Sequence, residues 1–259
     1  MPCPRYDFHI HTTYLGCANQ TMTLPAIVAE CARIGATAIG IADHLNSLDK
    51  LDLHARILDD IRATRPGVDV YFGAELNFTS CDGEFAFNEG VKATYGFQFA
   101  IGGIHATYLN EFDLGKIIDI QHRHHLRACR DPLVDVLVHP YWFSKGEFDR
   151  HGWPYVASPE AVPASYAREL GQVARQTGTA IEINSMANLH GRGDDVAQRY
   201  FEFLSIVAEQ GPMFSVSSDA HDIGHLATVA ESWSLADRIG LGEDRIWRPS
   251  CEPVVRAAR

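Results

Sequence analysis

Short apolar runs alternate along this chain with longer stretches in which apolar residues recur every three or four positions. That alternation predicts βα units around a mainly parallel sheet. The first run, Tyr6 to His11, reads as a strand. Thr23 to Ile34 reads as a helix, because Leu24, Ile27, Val28, Cys31 and Ile34 share one face. Thr23 is placed to cap it, Pro25 sits in its first turn and Gly35 is a natural stop. Further strands are predicted over Ala38–Ala42, Val68–Ala74, Phe97–Ile104, Val134–Val138, Ala180–Ile183 and Met213–Val216. Helical patterns fall at about 49–63, 160–177, 194–210 and 225–239, and the segment QHRHHLR at 121–127 reads as a helix with a solvated face. Residues 141–159 show no period and carry aromatics, Gly and Pro, the mark of a long loop over a working face.

Seven strands, each followed by helix or loop, predict an α/β fold, a distorted (β/α)7 TIM-like barrel. The 259 residues match the ~250 that such a barrel needs, so a single domain spanning 1–259 is expected. With 46% hydrophobic residues the chain can bury a sizeable core. A formal net charge of −11 speaks against long nucleic acid and anionic membrane as partners. It does not speak against a small phosphorylated substrate, since bound metal ions reverse the local potential. The six cysteines, Cys3, Cys17, Cys31, Cys81, Cys129 and Cys251, show no C-x-x-C spacing and read as reduced thiols. With neither an apolar leader nor a membrane-length run, a cytoplasmic location is expected. The oligomeric state is not encoded in any pattern here.

The chemistry lies at the strand ends. His9 and His11 close strand one, His44 follows strand two, and Glu75, His105 and His139 follow strands three, four and five. Asp219 and His221 follow strand seven. In a β/α barrel these ends converge on one face. Residues two apart on a strand point the same way, so His9 with His11, and Asp219 with His221, can each chelate an ion. Imidazoles suit zinc, manganese or iron, and a carboxylate such as Glu75 can bridge two ions. Other histidines carry less: His54 and His225 read as helical surface, while His151 and His190 fall in loops of the active face. Arg192, in HGRGDD, is a candidate phosphate clamp, with Lys145, Arg150 and His190 as further substrate contacts.

The motifs, taken in order, resemble the PHP (polymerase and histidinol phosphatase) superfamily. They are Asp7-Phe8-His9-Ile10-His11-Thr12, Ala42-Asp43-His44, Gly73-Ala74-Glu75, Gly103-Ile104-His105, Val138-His139-Pro140 and Ser218-Asp219-Ala220-His221. Ile181–Ser185 (IEINS) resembles the stand-alone phosphatases of that superfamily. The resemblance implies two to three divalent ions, zinc first among the candidates. His9, His11, Glu75 and Asp219 would hold the first, Glu75, His105 and His139 the second, and His44 and His221 the third. Many members complete the third site with a histidine where this chain has Cys17, and a thiolate can serve zinc there.

The implied activity is hydrolysis of a small phosphate monoester, histidinol-phosphatase-like, by a water that the metals activate to hydroxide near Glu75. Asp219 or His221 would protonate the leaving group, and Asp7 and Asp43 would orient ligand imidazoles. The alternatives are a phosphodiesterase or nuclease, a TatD-like amidohydrolase-type enzyme, and a non-catalytic metal-stabilised scaffold. Retention of eight of nine expected ligands weighs against the scaffold.

Overall fold

The computed structural model describes residues 5–80, 84–157 and 159–258, which leaves Cys3 and Cys81 outside the described residues. The elements run β1 (Tyr6–Ile10), α1 (Leu24–Ile34), β2 (Ala38–Ile41), β3 (His44–Leu45), α2 (Leu51–Ala63), β4 (Asp69–Asn77), α3 (Glu89–Tyr95) and β5 (Phe99–Gly103). They continue with α4 (Leu114–Arg130), β6 (Val136–Leu137), α5 (Lys145–His151), α6 (Ala164–Thr177), β7 (Ala180–Asn184), α7 (Ser185–Asn188), α8 (Asp194–Ala208), β8 (Phe214–Ser217) and α9 (Val229–Ile239). All strand pairs are parallel, in the order β1-β2-β4-β5-β6-β7-β8. The two-residue β3 continues β2 past a break and pairs with the far half of β4. Between β8 and β1 the sheet nearly closes: Asp219 N donates to His9 O at 2.9 Å, and His11 N donates to Ala220 O at 3.2 Å. The result is the distorted (β/α)7 barrel that the strand count predicts.

Strand alternation sorts the side chains. On β4, Val70, Phe72, Ala74 and Leu76 pack outward against α1 and α2. Tyr71 points inward and joins Phe8, Phe99, Ile101, Val136 and Val138 in an apolar plug that fills the lower barrel. The plug needs room: a Cβ on Gly40 or Gly73 would lie 2.6 or 2.5 Å from the Phe99 ring. A register shift between Asp7 and Ile10 lets β1 supply Phe8 to the plug and His9 to the space above it. Above the plug the inward residues turn polar, with Glu75 on β4, Glu182 and Asn184 on β7 and Ser217 on β8, all buried. The apolar plug is thus the floor of a polar chamber.

Several local expectations change. Thr23 precedes α1 but its side chain makes no capping hydrogen bond, and Gly35 ends the helix at φ 89° as expected. The 141–159 stretch is not all loop. Ser144 accepts a hydrogen bond from Glu147 N and Gly152 terminates at φ 65°, framing α5. The 121–127 segment is helical but its histidines are not solvated: His122, His124 and His125 are buried, as is His54 on α2. Among the described residues, Cys17, Cys31, Cys129 and Cys251 are free thiols. Among the described residues, no helix is long and apolar enough to cross a membrane.

Candidate metal centre

The strand-end residues converge. His9 Nε2 lies 3.5 Å from Glu75 Oε2 and 3.5 Å from Asp219 Oδ1, and His11 Nε2 lies 3.5 and 3.3 Å from the same two oxygens. Those separations match the ~3.4 Å edge of a tetrahedron of donors held ~2.1 Å from a central ion. On the other side of the same carboxylate, Glu75 Oε1, His105 Nε2 and His139 Nε2 stand 2.9 to 3.1 Å apart from one another. Glu75 therefore turns one oxygen to each cluster. A third group is formed by Cys17, His44 and His221 around His11, with their donor atoms within 4.8 Å of one another. Cys17 Sγ is 3.9 Å from His11 Nδ1.

Charge and hydrogen bonding test whether metal ions fit. Among the described residues, His9 Nε2 and His11 Nε2 are buried without a hydrogen-bond partner, and Glu75 Oε2 pairs with His44 Nδ1 at 2.6 Å. Glu75, Glu182 and Asp219 are gathered in one chamber, and every ion-pair partner they have among the described residues is a histidine. Burial alone would raise the Glu75 carboxyl, but His44, His105 and His9 outweigh it and hold it well below the usual range. For Asp219, burial is likewise outweighed by His9 and His11, and the group stays ionised. Burial of His9 is overridden by Asp219, Glu182 and Glu75, which hold its proton affinity well above normal. Buried carboxylates that draw protons onto imidazoles in this way fit a place for divalent cations.

The residue that sets His9 was not singled out as an imidazole anchor by sequence. Glu182 Oε1 accepts from His9 Nδ1 at 2.7 Å and from the Ser217 hydroxyl. Glu182 Oε2 accepts from the His139 backbone N at 2.7 Å and from Asn184 Nδ2 at 2.9 Å. Burial would raise this carboxyl, yet His9 keeps it below the ordinary value, so it is an acceptor only. The neutral form of His9, the one that can bind a metal, then carries its proton on Nδ1 and turns the Nε2 lone pair to the site. Asp7 and Asp43, expected to orient imidazoles, do something else. Asp7 accepts from Ser218 N and His9 N, and Asp43 from Thr12 N and its hydroxyl, so both pin backbone at the strand ends. Burial pushes each up to about 7. His54, expected at the surface, supports a ligand loop: its Nε2 meets His44 O at 3.2 Å.

A cavity of about 380 Å³ opens over the clusters, lined by His44, Glu75, His105, His139, Asp219 and His221 and walled by Trp142, Met186, Ala187, Arg192 and His225. Of the four expected substrate contacts, only Arg192 is on this wall. It donates to Ala187 O at 2.9 Å and to Tyr155 Oη at 3.3 Å, while its Nε has no partner. His190 pairs with Glu231 at 2.8 Å. Lys145 pairs with Asp149 at 2.6 Å, and Arg150 bonds to Gly146 O on the exposed side of α5. All three lie off the cavity wall and bond to local partners. His225, expected on a helical surface, instead faces the cavity from the turn before α9.

Comparison with known proteins agrees with this geometry. The structure superposes on a histidinol phosphate phosphatase of Lactococcus lactis subsp. lactis Il1403, complexed with zinc, L-histidinol and phosphate, with a TM-score of 0.62 and 15% identity. The match covers 98% of this chain and 99% of that one. A protein of Listeria monocytogenes named for histidinol phosphatase matches with a TM-score of 0.52 and 10% identity over 86% of this chain and 97% of that one. At such identities the likeness speaks for the fold. No curated protein sequence matches. The family model of the PHP domain matches residues 7–186, which include His9, His11, His44, Glu75, His105 and His139, and the chain belongs to the PHP domain family.

Proposed function

We propose that this protein is a metal-dependent phosphoesterase that removes the phosphoryl group of a small phosphate monoester. The observation that carries this reading is the double-faced Glu75, with imidazole donors at ligand spacing on both of its oxygens. His9, His11, Glu75 and Asp219 would hold one ion, and Glu75, His105 and His139 a second. His44, His221 and Cys17 would hold a third. When bound, divalent ions supply an acidified water and neutralise charge on phosphoryl oxygens. Zinc suits this mixed donor set.

The remaining work falls to side chains. Arg192 is pre-set on the cavity wall by Ala187 O and Tyr155, where its guanidinium is placed to grip a phosphoryl oxygen. Asp219 is held ionised and so is a poor proton donor. His221, on the cavity wall, is the better group to protonate the departing alkoxide whenever it is not holding the third ion. Trp142 and Met186 offer an apolar wall for the alcohol portion. A cavity near the small end of ligand sites suits a monoester of a compact alcohol better than a polymer. Histidinol phosphate is the first candidate, since the Lactococcus protein was captured with its hydrolysis products.

Metal-replete protein incubated with a panel of monoesters and diesters is expected to release phosphate from monoesters, histidinol phosphate among them. A chelator should stop release and added zinc or manganese restore it. Silence across the whole panel would sink the reading.

Cys17 has its own test. Cys17 is exposed at the edge of the site, yet desolvation of its sulfur and the nearby Asp43 and Glu75 push the thiol up to about 12, and a bound cation would reverse that by coordinating the thiolate. Protein purified without chelator is expected to hold about three ions per chain, and Cys17→Ala about two. Equal content in both would remove Cys17 from the ligand set.

A further inference from the structure

The histidine-rich face of α4 is buried against the segment that carries His139, and the function above makes no use of it. That segment is unusual. His139 has φ 29° and Tyr141 φ 56°, left-handed values that side-chain-bearing residues seldom adopt. Such backbone persists only where its surroundings over-determine it. Here three neighbouring residues of α4 grip it. Gln121 Nε2 donates to Trp142 O at 2.9 Å. Tyr141 N donates to His125 Nε2 at 3.0 Å. His122 Nδ1 meets the Tyr141 hydroxyl at 2.7 Å, and its Nε2 meets Glu169 on α6 at 3.1 Å.

The ligand side explains why such a grip is needed. His9 is oriented through its ring, because its far nitrogen is anchored on Glu182. His139 has no such anchor: its Nδ1 is buried without a partner. Its ring direction must come from its backbone, which is fixed at one end by His139 N on Glu182 and at the other by the bonds to residues 141 and 142. Burial, followed by the neighbouring His122, His139 and His124, holds His125 well below its usual proton affinity. It therefore stays neutral, as an acceptor must.

We infer that Gln121 and His125 are positioning residues for the cluster of Glu75, His105 and His139, acting through the backbone of Tyr141 and Trp142. The inference rests on His139 being a metal ligand. It predicts a selective defect: the ion shared by Glu75, His105 and His139 is weakened while the ion at His9, His11 and Asp219 is kept.

The test measures metal content against free zinc, kcat and KM for the best monoester, and the melting curve of metal-free protein. The variants are His125→Leu, His125→Gln, Gln121→Met and a His139→Ala reference. His125→Leu and Gln121→Met are expected to weaken one class of zinc site about 10–100-fold and to lower kcat more than they raise KM. His125→Gln, which keeps an acceptor near the Nε2 position, should recover most of both. If His125→Leu does not fold, the nearly isosteric Gln121→Met carries the test by itself. Unchanged zinc binding in the folded variants, with only a lower melting temperature, would reduce α4 to ordinary core. Equal damage from His125→Leu and His125→Gln, without a defect in Gln121→Met, would also overturn the inference. Should His139→Ala keep its full zinc complement, the ligand assignment of His139 fails, and that failure is separable from any result at His125.

Discussion

Glu75→Gln is expected to cost about 10³-fold in kcat, or ~4 kcal/mol of transition-state stabilisation, together with at least one bound ion. The substitution changes almost nothing in shape, so its effect isolates one carboxylate. Glu75 Oε2 stands 3.5 Å from His9 Nε2 and His11 Nε2 and 2.6 Å from His44 Nδ1. Its Oε1 stands 3.0 Å from His105 Nε2 and 3.1 Å from His139 Nε2. Glutamine keeps one carbonyl oxygen and replaces the other with an NH2, which has no lone pair to give a cation. Either orientation of the amide therefore removes a donor from one cluster, and both orientations remove the charge that balances the ions. The chain should still fold, because the metal-free carboxylate is itself a burden, buried and dependent on protonated imidazoles. Metal content, turnover and a circular-dichroism melt together decide the matter. A Glu75→Gln protein with its ions and with turnover within tenfold of the parent would show that the two clusters do not share this residue.

How much of this was legible in the sequence depends on where each residue sits relative to a strand end. His9, His11, His44, Glu75, His105, His139, Asp219 and His221 could be found because each stands where an apolar run stops, and barrel topology gathers those stops on one face. Glu182 was harder. It lies in mid-strand between Ile181 and Ile183, with Asn184 next on the same face. The one available signal was the charge itself, at an inward position of a strand otherwise fit for full burial. The α4 histidines were misplaced for a related reason. Periodicity counts histidine as polar, but an imidazole can be buried wherever its nitrogens find partners, as His122 does on Tyr141 and Glu169. That pairing joins residues 19 and 47 positions apart, beyond any local pattern. The helix α5, at seven residues, is too short for a 3.6-residue period to register, although Ser144 and Gly152 frame it. Arg192 stands past a strand end, and what distinguishes it from Lys145 and Arg150 is that it lines the cavity over the clusters, which depends on packing.

Glu182→Gln is the other change with a large expected effect, and it would act without removing any metal-binding atom. The carboxylate receives four donors: His9 Nδ1–H and the Ser217 hydroxyl on one oxygen, the His139 backbone N–H and Asn184 Nδ2 on the other. A glutamine must turn its NH2 toward one of these pairs. Facing His139 N, it sets two donors against each other in a buried site, at a cost of about 1–3 kcal/mol. Facing His9, it can be satisfied only if His9 moves its proton from Nδ1 to Nε2, which aims an N–H instead of a lone pair at Glu75 and Asp219. Either outcome damages one cluster, so zinc affinity is expected to fall about 10–100-fold. Turnover should fall with it and recover in part when zinc is raised. Glu182→Asp, which keeps an acceptor-only carboxylate on a shorter stem, should be milder in both readouts. Zinc titrations of the parent and the two variants check this. If glutamine proves as good as glutamate, the tautomer of His9 is fixed by something other than Glu182, and the argument that orients this half of the centre fails with it.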